Sequence, residues 1–341
     1  MASDPSAAVF PVLRLSRRAG ELRTQLDLLR AGRELERLTR DLAPDCLLVG
    51  NFRPFGYFAR ALHRSLGLPY LLFFHGLDLM RLTERGASSR WRRWGYERIG
   101  RDAAGFLTSS GFAASLIRRE FPRWAESKPI TAIRPGVDLQ RFRPGPEPAR
   151  PVLLTVARYA PRKGIDFVLR VMPRLLESVP DLVYRVVGHG DRAPYQALAD
   201  SLGLGSSVEL RGPASDDELP GLYRDCTAFV MLTTVLEGGI DVEGFGMVYL
   251  EAGASGRPVV AAAVGGVAEA VADGESGLLI PPDDPEAAAR ALHSLLADRA
   301  LRRQLGDQGR RRVEAEFAWP KQAAALRAAA RAACLPVGCR P

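Results

Sequence analysis

Lysine is almost missing from this chain. Its 341 residues carry 47 basic side chains, yet lysine stands only at 128, 163 and 321. Cysteine and histidine are equally sparse, with four of each. Cys46 and Cys226 sit in apolar runs and read as core residues, while Cys334 and Cys339 fall in the final ACLPVGCRP. No second cysteine pair or nearby histidine completes a metal-ligand set, so no metal is expected there. Four scattered thiols fit a reduced compartment better than a disulfide framework. No apolar run reaches the ~20 residues that a bilayer crossing needs. The opening MASDPSAAVFPVLRLSRRAG lacks the ordered regions of an export signal. The expectation is a cytoplasmic protein. No internal repeat and no nucleic-acid-binding motif is visible, so nucleic acid is not expected as a partner.

What is present is an ordinary globular composition, 47% hydrophobic and 25% charged, at a length that suits two domains. The net charge of +8 is unevenly spread. Residues 1–148 hold 25 basic and 15 acidic side chains, and residues 149–341 hold 22 and 24. A basic half suits a membrane surface, a nucleic acid or an anionic substrate, unless it is simply a solvated arginine-rich surface. One stretch mixes arginine with aromatic rings: Ser89-Arg-Trp-Arg-Arg-Trp-Gly-Tyr-Glu-Arg98. Rings with polar edges suit a bilayer interface, and arginines beside them suit anionic lipid. Peripheral docking on the inner face of the plasma membrane is one expectation. An ordinary helix that buries its tryptophans and solvates its arginines is the other.

The Pro-rich RFRPGPEPARP (141–151) reads as a linker. It gives three segments: 1–145, 146–320, and a C-terminal helix and tail at 321–341. After the linker, short apolar strands alternate with helical patterns. Strands are expected at 151–156, 183–187, 208–210, 228–232 and 258–262, and helices at 167–176, 195–202, 218–224 and 245–255. That alternation implies right-handed βαβ units around a parallel sheet. Before the linker, leucines 22, 26, 29, 35, 38 and 42 lie near helical spacing. Strands follow at 46–49, 70–74, 105–108 and 130–133. Residues 1–45 show neither an opening strand nor a glycine-rich turn, so the first domain is expected to be incomplete.

Glu243-Gly-Phe-Gly-Met-Val-Tyr-Leu-Glu251 holds two carboxylates eight residues apart across a glycine-rich turn that opens a helix. The free amides of Gly246, Met247 and Val248 would point out of the helix start, where the dipole favours an anion such as a diphosphate. Glu243 and Glu251 could then bond hydroxyls at the two ends of a ligand lying there. Arg158 and Lys163 follow the first strand after the linker, at its carboxyl end, where open α/β sheets bind ligands. Both are expected to be exposed in a cleft, ready to neutralise a diphosphate. His75, in FFHGLD, stands at a strand end beside a glycine; it either meets a ligand or serves the fold.

Taken together, RPGVDLQRFRP, ARYAPRKG, VVGHGDRAPYQALADSLGL, LRGPASDDELPGLYRDCTAFVM, DVEGFGMVYLEAGASGRPVVA, GGVAEAVADGESGLLI and EFAW resemble the retaining GT-B glycosyltransferases of group 1. That large family includes bacterial phosphatidylinositol mannosyltransferases and sucrose synthases. The resemblance is dense over 134–320 and rests on PDCLLVGN and FFHGLD before that. It implies two Rossmann-like domains facing across a cleft, the first of them truncated, and a donor of GDP- or UDP-linked hexose. Arg158 and Lys163 would bind the donor diphosphate, Glu243 the sugar and Glu251 the ribose hydroxyls. The amides of Gly246, Met247 and Val248 would cradle phosphate. Arg211 and Gly212 would contact the base, and His75 would reach the sugar from the first domain. It further implies retention at the anomeric carbon, no cofactor and no metal, in keeping with the lack of a prominent Asp-x-Asp motif. The acceptor would be a lipid or lipid-linked glycan. A binding subunit without turnover is the alternative that an incomplete first domain would imply.

Overall fold

The computed structural model describes residues 25–334 except 53, 76–86 and 236–242. The opening segment before residue 25, Asp78, Cys339 and the side chains of Arg90, Trp91 and Arg92 lie outside the described residues, and so does the expectation of an incomplete first domain. The first half runs α1 (Gln25–Leu42), β1 (Leu47–Val49), α2 (Phe55–Leu66), β2 (Tyr70–Phe74), α3 (Ala87–Asp102), β3 (Gly105–Thr108), α4 (Gly111–Glu120), α5 (Pro122–Ser127) and β4 (Ile130–Ala132). After the linker come β5 (Val152–Val156), α6 (Ile165–Ser178), β6 (Val183–Val187), α7 (Ala193–Ser201), β7 (Val208–Arg211), α8 (Leu219–Arg224), β8 (Ala228–Met231), α9 (Met247–Ala254), β9 (Val259–Ala262), α10 (Val267–Ala270), β10 (Gly277–Ile280), α11 (Pro285–Ala297), α12 (Arg299–Glu316) and α13 (Trp319–Cys334).

The strands form two wholly parallel sheets, ordered β1-β2-β3-β4 and β10-β9-β8-β5-β6-β7. Parallel strands covered by helices on both faces read as continuous apolar runs. VLLT of β5, AFVM of β8 and VVAA of β9 are buried throughout. In the second sheet Leu154, Phe229 and Val259 pack on one side, and Leu153, Tyr184, Val230 and Val260 on the other. Side-chain caps start several helices: Ser110 accepts from the Ala113 amide, Asp284 from Ala287, and Asp298 from Ala300 and Leu301.

The strands expected from the sequence form with ends shifted by a residue or two. Among the described residues it is α13 that leaves its own half of the chain. It turns back and lays Leu326, Ala329, Ala330 and Ala333 on Leu71, Leu107 and Ile133 of the first half. The backbone therefore crosses between the halves twice, and the crossings touch where the Val137 amide bonds the Phe317 carbonyl at 2.9 Å. Buried Arg257 holds the Pro-rich linker down, donating to the carbonyls of Gly145 at 3.0 Å and Pro146 at 2.6 Å.

One reading of the aromatic stretch is corrected. Tyr96 does not face out. It is 5% exposed and meets Phe52 edge-on at 4.3 Å, because it falls on the α3 face that covers the first sheet. Arg93 is also engaged, donating to the Glu120 carbonyl at 2.7 Å and lying over the Phe121 ring. Trp94 is 52% exposed, with the Arg98 guanidinium 4.5 Å above its ring.

Candidate functional site

In the second sheet β5 pairs with β6 on one side and β8 on the other, so the chain reverses direction across the sheet at β5. A crevice at the carboxyl ends of the strands opens at such a switch point. The loop leaving β5 carries Arg158, exposed, then a 3₁₀ turn at Pro161–Lys163 closed by Gly164 with φ +64°. A Cβ on Gly164 would stand 1.9 Å from the Leu232 carbonyl oxygen. Only glycine lets this turn press against the end of β8.

That packing buries Lys163, and here the expectation of an exposed lysine fails. Lys163 is 9% exposed, and its Nζ is bonded to Glu243 Oε2. Arg162 Nη1 lies 3.5 Å from the same oxygen. Burial lowers the Lys163 pKa; the Glu243 carboxylate opposes that shift, while Arg162 and Arg158 add repulsion. The second half thus brings Lys163 and Glu243 into direct contact, with Arg158 close by.

Glu243 is held in place by its own backbone, whose carbonyl accepts the Gly266 amide at 2.9 Å. Three residues on, Gly246 takes φ +89° and opens α9 without any side-chain cap. A Cβ there would strike the Tyr249 ring at 2.4 Å. The amides of Met247 and Val248, in the first turn, find no backbone partner among the described residues. Met247 itself is 47% exposed. About one turn into α9, half-buried Glu251 receives the Tyr223 hydroxyl at 2.6 Å on Oε2. Burial raises the Glu251 pKa, against the Tyr223 bond and the Arg141 charge.

Arg211 ends β7 at the same edge of the sheet, and Gly212 follows it. The Arg211 carbonyl accepts the Tyr159 hydroxyl at 2.9 Å, which leaves its exposed side chain to solvent. His75 follows β2 in the other half; it is exposed and stacks on Phe73 with ring centroids 4.7 Å apart. No contact among the described residues joins it to the Lys163–Glu243 pair.

What does join the halves at this edge is Glu269 of α10. Its carboxylate accepts the Gly111 amide at 2.9 Å and the Phe112 amide at 2.8 Å, at the start of α4. Arg134 Nε stands 3.7 Å from it. Arg162, Tyr223 and Glu269 were not singled out from the sequence. Arg162 lies inside ARYAPRKG, Tyr223 inside LRGPASDDELPGLYRDCTAFVM and Glu269 inside GGVAEAVADGESGLLI, so all three were within recognised stretches. Among the described residues no group of three or more His, Cys, Asp or Glu side chains is placed to hold a metal ion, and no helix is long and apolar enough to cross a membrane.

Comparison with known proteins follows from this geometry. The family model for glycosyl transferases group 1 matches residues 137–312, and that for glycosyltransferase family 4 matches residues 4–141. The chain is similar to a GDP-mannose-dependent alpha-(1-6)-phosphatidylinositol monomannoside mannosyltransferase of Mycolicibacterium smegmatis, 34% identical over 69% of this chain and 64% of that protein. It is also similar to a D-inositol 3-phosphate glycosyltransferase of Streptomyces bingchenggensis, 36% identical over 59% of this chain and 47% of that one. It thus spans about half to two thirds of the length of these relatives. Among solved structures, sucrose-phosphate synthase of Thermosynechococcus elongatus superposes with a TM-score of 0.75, 25% identity, and coverage of 92% of this chain and 79% of that one. The two sheets are the GT-B fold.

Proposed function

Because the chain belongs to the glycosyl transferases group 1, we propose that it moves a hexose from a GDP- or UDP-linked donor to an acceptor, with retention at the anomeric carbon and without a metal. The observation that carries this is the Lys163–Glu243 pair beside the uncapped start of α9, at the switch point of the sheet. The donor diphosphate would lie on the Gly246, Met247 and Val248 amides, with Arg158 and Lys163 over its oxygens. Glu243 would take a hexose hydroxyl and Glu251 the ribose, with Arg211 and Gly212 at the base and His75 reaching the sugar from the first half. As the C1–O bond breaks, its electron pair goes to the diphosphate, where the two cations and the helix amides meet the growing charge. Losing one such donor typically lowers the rate ~10²–10³-fold. The acceptor hydroxyl attacks the same face and yields its proton to a departing phosphate oxygen.

The relatives' names support the acceptor class: one is named for a phosphatidylinositol monomannoside and the other for D-inositol 3-phosphate. An anionic, lipid-linked acceptor also suits the basic first half. Exposed Trp94 with Arg98 favours peripheral contact with anionic membrane, on the cytoplasmic side. A screen of GDP-, UDP- and ADP-sugars for binding and slow hydrolysis tests the donor, repeated with EDTA. No binding of any nucleotide sugar would refute the function; loss of activity in EDTA, restored by Mg²⁺ or Mn²⁺, would refute the metal-free step. Sedimentation with liposomes tests the membrane contact, which should grow with anionic lipid and fall in Trp94→Ala and Arg98→Glu. Equal recovery on neutral and anionic liposomes would refute it.

A further inference from the structure

Glu251 is an unusual carboxylate to offer to a ligand, because burial works against its charge. Among the described residues its carboxylate receives one hydrogen bond, the 2.6 Å bond from Tyr223 to Oε2. Nothing described occupies Oε1. Tyr223 is itself closely packed. It is fully buried on α8, with Phe142 edge-on at 5.7 Å and Phe229 tilted against it at 5.7 Å. Packing fixes where its hydroxyl oxygen stands, and the bond it donates there goes to Glu251. A short bond from a locked phenol fixes the carboxylate rotamer and decides which oxygen stays free.

We propose that Tyr223 is a positioning residue that, by anchoring Oε2 of Glu251, aims Oε1 at a vicinal diol and so makes the site prefer a ribonucleotide over its deoxy form. The inference rests on the reading of Glu251 as the ribose contact. Tyr223 touches no ligand itself. It acts on the half of the donor that does not react, so its removal should weaken donor binding and KM while leaving kcat near its original value at saturation.

The experiment is calorimetric titration of the full chain with GDP and UDP and with their 2′-deoxy and 3′-deoxy forms. Wild type should bind the better ribonucleotide about tenfold or more tighter than its deoxy forms, the usual scale for one hydrogen bond to a charged group. Tyr223→Phe keeps the ring and its stacking. It should weaken the ribonucleotide several-fold, leave the deoxynucleotides unchanged, and bring the ratio to within about threefold. A merely structural role would weaken every nucleotide alike and keep the ratio, which would overturn the proposal. Glu251→Gln separates the two readings. If its ratio collapses while that of Tyr223→Phe stays at the wild-type value, Glu251 meets the ribose and Tyr223 does not position it. If wild type and Glu251→Gln show the same ratio, the ribose assignment fails and the proposal falls with it. Should Tyr223→Phe not fold, 3-fluorotyrosine at 223 keeps the bond and makes the phenol a stronger donor. The ratio should then shift, and an unchanged ratio would overturn the proposal.

Discussion

Replacing Glu269 with alanine should loosen the protein more than a surface substitution has any reason to. The carboxylate of α10 reaches across to α4 and takes two backbone amides, at 2.9 and 2.8 Å. Ser110 takes the third, that of Ala113, at 3.0 Å. The start of α4 is thus satisfied from both halves of the chain at once. Hydrogen bonds to a charged group contribute ~1.5–3 kcal/mol each, and an anion at a helix start adds a few tenths more. The Glu269 side chain is 23% exposed, so water can replace part of what is lost. A net loss on the order of 2–4 kcal/mol remains. At about 2 cal/mol/K of unfolding entropy per residue, 1 kcal/mol moves the Tm of a chain of this size by ~1–2 °C, so calorimetry should show a fall of ~2–8 °C. Glu269→Gln, which keeps one acceptor but loses the charge, should fall between. Small-angle scattering should show Glu269→Ala more extended than wild type if the contact holds the halves together. A Tm shift below about 1 °C with unchanged scattering would refute the reasoning, because the contact would then be one of many closures and not a clasp.

Lys163→Ala should cost stability as well as turnover, because it leaves Glu243 with the longer 3.5 Å contact to Arg162 in a site where the Lys163 and Glu243 side chains are only 11% and 14% exposed. A loss of ~2–4 kcal/mol is expected by chemical denaturation, and an unchanged midpoint would show the pair to be solvated. Arg158→Ala, at an exposed position, should leave the midpoint within ~0.5 kcal/mol while turnover falls; equal losses in both variants would contradict this. Glu251 holds its proton to higher pH than the ordinary carboxylate. Nucleotide affinity should therefore weaken on acidification at a pH above the usual carboxylate range, and Glu251→Gln should abolish that limb. For stability the sign is the same group's raised folded pKa, so its contribution is present at acid pH and is lost as pH rises through the folded value. The Cys226 and Cys334 thiols are both pushed up to about 12, chiefly by burial. Iodoacetamide at pH 8 should label them far more slowly than in the unfolded chain, as mass spectrometry would read; rapid labelling would show that the burial is not maintained.

How much of this was legible beforehand differs from residue to residue. Strands such as β5 and β8 announce themselves because parallel strands are apolar on both faces, and that pattern needs only neighbouring residues. Glu243 and Lys163 were picked out by the turns that carry them. Their pairing was not, since 80 residues separate them and only the crossover at β5 brings those two turns to one edge. Lys163 also looked solvated, lying between Arg162 and Gly164; the αL turn at Gly164 presses against the Leu232 carbonyl, and Lys163 is buried beside Glu243. Tyr223 was missed because a buried phenol in a helix is the ordinary case, and what singles it out is where its hydroxyl points. The same limit applied to Tyr96, whose neighbours Trp94 and Arg98 are exposed or partly so on the other side of one helix. The alanine-rich pattern of α13 showed a helix but not which half it would cover.

The return of α13 has a consequence for how the protein is made. Leu71, Leu107 and Ile133 leave the ribosome early, but the alanines that cover them, up to Ala333, come last. At ~5–20 residues per second, some 200 intervening residues take ~10–40 s to synthesise. For that interval Leu71, Leu107 and Ile133 lack the cover that α13 gives them, however completely their strands have paired. The second half must also reach its own fold between the two pieces of the first, so that α13 is delivered by the Val137–Phe317 crossing to a surface made long before it. Newly made chains that stop short of residue 326 would never gain the α13 cover over Leu71, Leu107 and Ile133, and it is there that a chaperone, or another unfinished copy, would find something to hold.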